Sequence, residues 1–122
     1  MKGIIFFAHG ARDERWRQPF DRLNSFWVKR YPAIPAELAF LEKMQPDLPE
    51  GIKILVSKGV SDIQILPLFF GQGAHLREDF PIIVEECRRM YPNIKIRTYT
   101  PVGENDDVLD SIIDVAFQSI SD

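Results

Sequence analysis

The sequence predicts an α/β fold: a single three-layer αβα domain spanning residues 1–122, with helices on both faces of a four-stranded parallel sheet. The alternation of two sequence patterns leads to this prediction. Short apolar runs rich in β-branched and aromatic residues alternate with segments of helical period along the whole chain. The resulting order, βαβαβαβα, implies parallel strands joined by right-handed crossovers. For so small a sheet we predict the flavodoxin-like strand order 2-1-3-4.

The first half of the chain supplies two strands and one helix. Residues 3–8 form a continuous apolar run, as expected of a buried parallel strand. After a polar loop, apolar residues at three- and four-residue spacing predict a helix over residues 17–30, which Pro32 ends. Residues 36–41 predict the second strand, which Glu42 closes.

The middle of the chain supplies the second helix and the third strand. Residues 46–58 predict a helix with Pro49 in its first turn and Gly59 as its C-terminal cap. Residues 62–70 are the most apolar stretch of the chain and predict the third strand.

The last third supplies two helices around one strand. Asp79 resembles an N-cap followed closely by Pro81, which predicts a helix over residues 79–90. Residues 93–99 predict the fourth strand, and residues 105–120 predict the final helix.

The composition excludes several classes of protein. A net charge of −3 argues against a nucleic-acid-binding surface, which is usually basic. Cys87 is the only cysteine, so the chain forms no intrachain disulfide and no thiolate metal cluster. The apolar run near the N-terminus is too short for a signal peptide, and no run approaches the roughly 20 residues of a membrane-spanning helix. We therefore expect a cytoplasmic protein that binds neither nucleic acid nor membrane.

The two histidines of the chain both lie where a predicted strand ends. His9 follows the first strand, Glu42 follows the second, and His75 lies in the loop after the third. Ligands of open α/β sheets bind outside the carboxyl ends of the strands, and these three strands are neighbours in the predicted order. Two imidazoles and one carboxylate suit a borderline divalent metal such as Fe, Co, Ni or Zn. Taken singly, each residue also fits a structural histidine or a solvated carboxylate.

Residues around this predicted metal site could hold a substrate. The segment Gly71-Gln72-Gly73 permits close backbone approach, although it lacks the third glycine of a dinucleotide fingerprint. Arg12 and Arg77 suit recognition of carboxylates, with solvated surface charge as the alternative. Arg15 and Arg17 lie at the same rim. The rings of Trp16 and Phe69-Phe70 could contact a flat apolar ligand, although core packing is expected for the two phenylalanines.

Three motifs resemble those of a known family, the small class II tetrapyrrole chelatases of the sirohydrochlorin cobaltochelatase and ferrochelatase group (CbiX-like proteins). They include the ends of the first, second and third predicted strands: Phe7-Ala8-His9-Gly10-Ala11-Arg12-Asp13, Glu37-Leu38-Ala39-Phe40-Leu41-Glu42, and Pro67-Leu68-Phe69-Phe70-Gly71-Gln72-Gly73-Ala74-His75-Leu76-Arg77-Glu78-Asp79. The likeness covers essentially the whole chain, in the same order and spacing. Ala11 departs from it where the family often has Ser, and the histidine-rich insertion of some relatives is missing.

The resemblance implies a catalytic pair, a metal site and an assembly. His9 and His75 would bind the metal and remove protons, with Glu42 as a further ligand. The domain would be a chelatase half-domain that pairs with a second copy as a homodimer, because larger relatives carry two such domains in one chain. The divalent metal, Co²⁺, Fe²⁺ or Ni²⁺, would be a substrate, and no organic cofactor is expected.

The chemistry of metal insertion fits these residues independently. A free tetrapyrrole loses two pyrrole protons as it gains M²⁺, so the site must hold a metal and also accept protons. An imidazole with an ordinary pKa near ~6.5 can do either. Sirohydrochlorin also carries several carboxylate arms, which gives Arg12 and Arg77 a substrate group to bind.

Two alternatives remain from the sequence. A module that binds a tetrapyrrole or a metal without turnover would present the same ligands. A histidine-phosphatase-like protein would also place a histidine after its first strand, but Ala8 stands where that family has Arg, and no second histidine lies near the C-terminus.

Overall fold

The computed structural model describes residues 1–121, with the side chain of His75 outside the described part. Its strands form one sheet in which every neighbouring pair is parallel. In chain order the strands are β1 (Lys2–Ala8), β2 (Ala36–Phe40), β3 (Asp62–Pro67) and β4 (Lys95–Thr98), and their order in the sheet is β2-β1-β3-β4. The predicted α/β class and the strand order 2-1-3-4 are confirmed.

The helices fall in the predicted order between and after the strands. They are α1 (Gln18–Arg30), α2 (Leu48–Ser57), α3 (Ala74–Met90) and α4 (Asp106–Ile120), with short 3-10 turns at Glu14–Arg17 and Val102–Glu104. Helix α2 starts at its N-cap Asp47, whose side chain accepts the N–H of Glu50, and Pro49 lies in the first turn as predicted. Gly59 just beyond α2 has a φ of +90°, which fits the predicted C-terminal glycine.

Two apolar clusters hold helices on opposite faces of the sheet. On one face α2 and α3 cover Ile5, Phe7 and Ile65, which are fully buried. On the other face α1 covers β1 and β2 through the partly buried rings of Phe20 and Trp27. No helix of the described residues is both long and apolar enough to cross a membrane.

Helix α3 differs most from its prediction. It starts at Ala74 instead of residue 79, so Pro81 lies inside it and His75 belongs to its first turn, not to a loop. An internal proline costs a helix about 3 kcal/mol because it removes a hydrogen bond and crowds the preceding turn. Packing offsets this cost, since Leu76 is buried and the Phe80 ring stacks on Phe7 with centroids 5.1 Å apart.

The chain between β3 and α3 also departs from the prediction. The strand ends at Pro67 instead of residue 70. Phe69 is buried edge-on against Phe7, as expected of a core residue. Phe70 was expected in the core as well, but 62% of it is exposed, because the chain has left the sheet and turned toward Gly71.

Candidate functional site

The ends of β1 and β2 continue their parallel pairing beyond the strands. The N–H of Leu41 donates to the carbonyl of Ala8 (2.9 Å), and the N–H of Glu42 donates to the carbonyl of His9 (3.1 Å). These two hydrogen bonds fix the backbones of His9 and Glu42 side by side at the carboxyl edge of the sheet. The predicted strand order therefore leads to an observed contact.

Gly10 allows this close approach. Its φ of +96° lies in the left-handed region that favours glycine. A Cβ at this position would overlap the carbonyl oxygen of Glu42. The pairing of His9 with Glu42 therefore requires that the next residue has no side chain.

The side chains of His9 and Glu42 face each other across this edge. Nε2 of His9 lies 3.6 Å from Oε1 of Glu42, and each side chain is about half exposed, at 51% and 48%. Two ligands bound tetrahedrally at about 2.1 Å to one ion are about 3.4 Å apart. The spacing therefore suits a divalent cation between the two groups, and their exposure leaves them open to a ligand.

Lys43 is a second cation at the same carboxylate. Its Nζ lies 3.6 Å from Oε1 of Glu42, and its φ of +66° is unusual for a residue other than glycine. The ammonium group therefore competes with any metal ion for this oxygen. Nothing in the sequence pattern indicated this role, because it depends on the turn after β2.

His9 and Glu42 line a cavity of about 490 Å³. The lining is completed by residues from the turn after β2, from the loop after β3 and from α3: Leu41, Gly71, Gly73, Leu76 and Asp79. The sequence predicts Asp79 as a helix N-cap, whereas in the structure it lies in the second turn of α3 and lines the cavity. Recognising Gly73 as the start of the helix would have placed Leu76 and Asp79 on the face toward this cavity.

The backbone of His75 lies in the first turn of α3, beside the cavity. Gly73 and Leu76, which flank Ala74 and His75 along the chain, both line the cavity. The predicted third ligand, the imidazole of His75, lies outside the described residues. Among the side chains that are described, no group of three or more His, Cys, Asp or Glu is arranged to hold a metal ion.

The predicted substrate residues of the β3–α3 loop lie around two adjoining depressions. Gly71 and Gly73 belong to the cavity of His9, and Gly71 also lines a second hollow of about 270 Å³. Its other lining residues are Phe70, Gln72, Arg77 and Glu104. Arg77 donates through Nη2 to the carbonyl of Gln72 (3.2 Å), which holds the guanidinium over this loop.

The arginines that follow β1 divide into two groups. Arg15 pairs with Asp13 at 2.9 Å, and its hydrogen bonds hold the pKa of that carboxyl below its usual value. Arg17 pairs with Asp21 and lies over the ring of Phe40, 4.8 Å from its centroid. Both guanidinium groups are thus engaged within the protein, whereas Arg12 is exposed on the loop directly after Gly10.

Trp16 is part of the core, not a wall of the cavity. Its ring packs against Phe20 with centroids 4.6 Å apart and against Phe40 at 6.3 Å. Trp16 is thus partly buried and does not line the cavity of His9, and its contact with a flat ligand stays a prediction.

Several known proteins resemble the chain over nearly its whole length. A CbiX protein from Marinobacter aquaeolei VT8 has a crystal structure that matches with a TM-score of 0.87 at 30% identity, covering 98% of both chains. A sirohydrochlorin cobaltochelatase from Sulfurisphaera tokodaii is 29% identical over 108 residues, which cover 88% of this chain and 85% of that protein.

Other relatives are longer than this chain. It covers only 36% of a sirohydrochlorin cobaltochelatase from Priestia megaterium, at 27% identity over 112 residues. The sirohydrochlorin chelatase SirB from Bacillus subtilis subspecies spizizenii, solved in complex with cobalt, matches with a TM-score of 0.81 at 24% identity. That match covers 98% of this chain and 50% of SirB, and at this identity it shows the fold.

The CbiX family model matches residues 3–119, which include all four strands and all four helices except Lys2 at the start of β1 and Ile120 at the end of α4. The chain belongs to the CbiX family.

Proposed function

We propose that the protein is a sirohydrochlorin-type metal chelatase, an enzyme that inserts a divalent metal into a tetrapyrrole. The observation that carries this proposal is the His9–Glu42 pair, held 3.6 Å apart at the mouth of a cavity of about 490 Å³. Membership in the CbiX family and the names of its relatives supply the substrate class.

The reaction joins M²⁺ to the pyrrole nitrogens and releases two protons. His9, Glu42 and His75 would hold the metal, and His9 and His75 would accept the protons when they are not bound to it. His75 is assigned on two grounds: its motif resembles that of the family, and the residues on either side of Ala74-His75 line the cavity. Glu42 contributes negative charge, which favours binding of a divalent cation.

The carboxylate arms of the macrocycle would contact the cavity rim. Arg12 and Arg77 offer guanidinium groups for these arms, and Gly71, Gln72 and Gly73 allow the backbone to approach the ring. Phe70 adds an exposed ring beside Gly71, although the sequence predicted it to be core. A flat aromatic substrate could stack on it.

The proposal also covers the inserted metal, the oligomeric state and the cellular compartment. Co²⁺, Fe²⁺ or Ni²⁺ would be the inserted substrate in a pathway to cobalamin, sirohaem or a related cofactor, and no organic cofactor takes part. SirB relatives have been solved with cobalt and with Fe³⁺. Two copies of this single chelatase domain, residues 1–122, would form a homodimer in the cytoplasm, without contact to nucleic acid or membrane.

A spectroscopic assay tests the function. Purified protein is mixed with sirohydrochlorin and Co²⁺, Ni²⁺ or Fe²⁺, and the visible spectrum of the macrocycle is followed under anaerobic conditions. We expect insertion faster than in protein-free buffer with at least one metal. Tight binding of metal and macrocycle without faster insertion would instead support the non-catalytic binding module.

The site assignment has its own control. His9→Ala should lower the insertion rate on the order of 100-fold or more, as expected for loss of a ligand that also accepts protons. Arg15→Ala, which removes a guanidinium already paired with Asp13, should leave the rate within about twofold. Full activity in both His9→Ala and His75→Ala would reject the assigned residues while leaving the function intact.

A further inference from the structure

Helix α4 exposes one continuous apolar face. Its apolar residues recur at three- and four-residue spacing along one stripe: Leu109, Ile112, Ile113, Ala116, Phe117 and Ile120. No residue of α4 is buried, and Ile113, Phe117 and Ile120 are 66%, 67% and 79% exposed. Amphipathic helices normally bury such a stripe, and exposed apolar patches of this kind mark interaction sites.

A matching groove lies beside α1 on the opposite side of the sheet from α2 and α3. This α1 groove holds about 400 Å³ and is lined by Phe6, Leu23, Phe26, Trp27, Arg30 and Tyr31. Phe6 pairs in register with Leu66 of β3, which is partly buried on the same face of the sheet. The groove therefore lies between α1 and β1 on this face of the sheet.

Charges on the two surfaces are opposite in sign. Along α4, Asp107, Asp110 and Asp114 flank the apolar stripe, and the helix contains no Lys or Arg. In the last turn of α1, Arg30 lines the groove and Lys29 precedes it, and neither pairs with a carboxylate among the described residues. A helix with an acidic flank and an apolar stripe therefore complements this groove in charge and in apolar character.

We infer that α4 of one copy packs its apolar stripe into the α1 groove of a second copy, and that α4 of the second copy packs into the α1 groove of the first. Such an exchange is self-complementary about a twofold axis, so each contact occurs twice. A helix of 15 residues is about 22 Å long, and two such helices could bury an area on the order of the 800 Å² per partner of a stable dimer. This inference rests on the proposed pairing of two copies, but not on the chelatase activity.

Cross-linking between two differently tagged chains tests the contact. One chain carries Phe26→Cys in the groove, the other carries Phe117→Cys on α4, and the two are co-expressed and treated with a short bismaleimide. Cys87 is fully buried and remains in both chains. We expect a cross-linked product containing both tags, because a chain with one introduced cysteine cannot link α4 to its own groove.

Matched controls decide between the possible arrangements. Ser25→Cys, on α1 but outside the groove, should cross-link to Phe117→Cys at least fivefold less than Phe26→Cys does. A dominant product between two Phe117→Cys chains would show α4 packing on α4 and would overturn the inference. Equal yields from positions 25 and 26 would do the same.

Charge reversal provides a second measurement. The pair Asp110→Lys and Asp114→Lys should weaken dimerisation at least tenfold in sedimentation experiments, and Lys29→Glu with Arg30→Glu in the same chain should recover most of it. A wild-type protein that is monomeric in light scattering would reject both the pairing and the docking. A dimer indifferent to these substitutions would reject the docking alone, and the insertion assay reports separately on the chelatase activity.

Discussion

The carboxylate of Glu42 lies 3.6 Å from the imidazole of His9 and 3.6 Å from the ammonium of Lys43. At the scale of single residues, a metal ion bound as proposed would therefore compete with Lys43 for one oxygen of Glu42. Removing the carboxylate and removing its competitor should have opposite effects on metal binding.

Glu42→Gln should raise the KM for the metal on the order of 10- to 100-fold, because the amide keeps the shape but loses the charge. Lys43→Met should lower that KM several-fold, since the ammonium no longer occupies the carboxylate. Initial rates of insertion at varied metal concentration measure both. A matching rise in both variants would contradict this account of Lys43.

Gly10 is the residue whose replacement should damage the site through the backbone. Gly10→Ala should destabilise the protein by more than about 2 kcal/mol, because the left-handed conformation is strained and the new Cβ overlaps the Glu42 carbonyl. Gly71→Ala is the matched control, because a Cβ there meets no atom within 4 Å. Urea unfolding of the two variants should separate them clearly, and equal stabilities would contradict the prediction.

Residues at the site were predictable to different degrees. His9 and Glu42 could be found from sequence, because each directly follows a strand and the strands were predicted to be neighbours. Lys43 and Asp79 could not, since their positions depend on a turn with positive φ and on where α3 begins. Arg15 and Arg17 were candidates by residue type, and only the ion pairs with Asp13 and Asp21 show them to be engaged.

At the scale of elements, local capping rules predicted α2 well and α3 poorly. Pro49 was predicted in the first turn of α2 and lies there, and Gly59 follows the helix as predicted, whereas the N-cap Asp47 emerges only from the structure. The same reasoning applied to Asp79 and Pro81 failed, because α3 begins at Ala74 after the N-cap Gly73, which offers no side-chain hydrogen bond. Burial of Leu76 and Phe80 against the sheet decides the start of this helix, and such tertiary packing leaves no local signal.

The cap of α2 yields an element-scale prediction. Asp47→Ala should lower the free energy of unfolding by about 1 kcal/mol, because the N–H of Glu50 loses its acceptor. Asp47→Asn keeps an acceptor oxygen, so its free energy of unfolding should fall by less than half as much as that of Asp47→Ala. Thermal unfolding followed by circular dichroism makes the comparison. A larger loss in the Asn variant than in the Ala variant would contradict the cap.

At the scale of the whole molecule, Cys87 reports on global unfolding. Burial raises the pKa of its thiol to about 11, with the charges of Glu86 and Asp47 adding to the effect. The folded state thus holds the proton more tightly than an unfolded chain, whose thiol has a pKa near 9.0. The resulting stability is complete below pH 9 and is lost as the pH rises toward 11.

We therefore expect the stability advantage of wild type over Cys87→Ala to shrink by on the order of 2 kcal/mol between pH 9 and pH 11. At pH 8 the native thiol should resist iodoacetamide and react only after denaturant is added. A constant difference between the two proteins across this pH range, or rapid labelling of the native state, would contradict the burial of Cys87.

If α4 docks on a second copy as proposed, the secondary structure of the chain should depend on its concentration. An isolated helix of this length is marginal in water, because nucleation costs more than its few local hydrogen bonds return. Dilution below the dimer threshold should therefore melt α4 while the sheet stays intact. Hydrogen exchange should show amides 106–120 losing protection as the protein is diluted, while the amides of β1 and β3 stay protected. The last helix would then be stable only when two copies are associated.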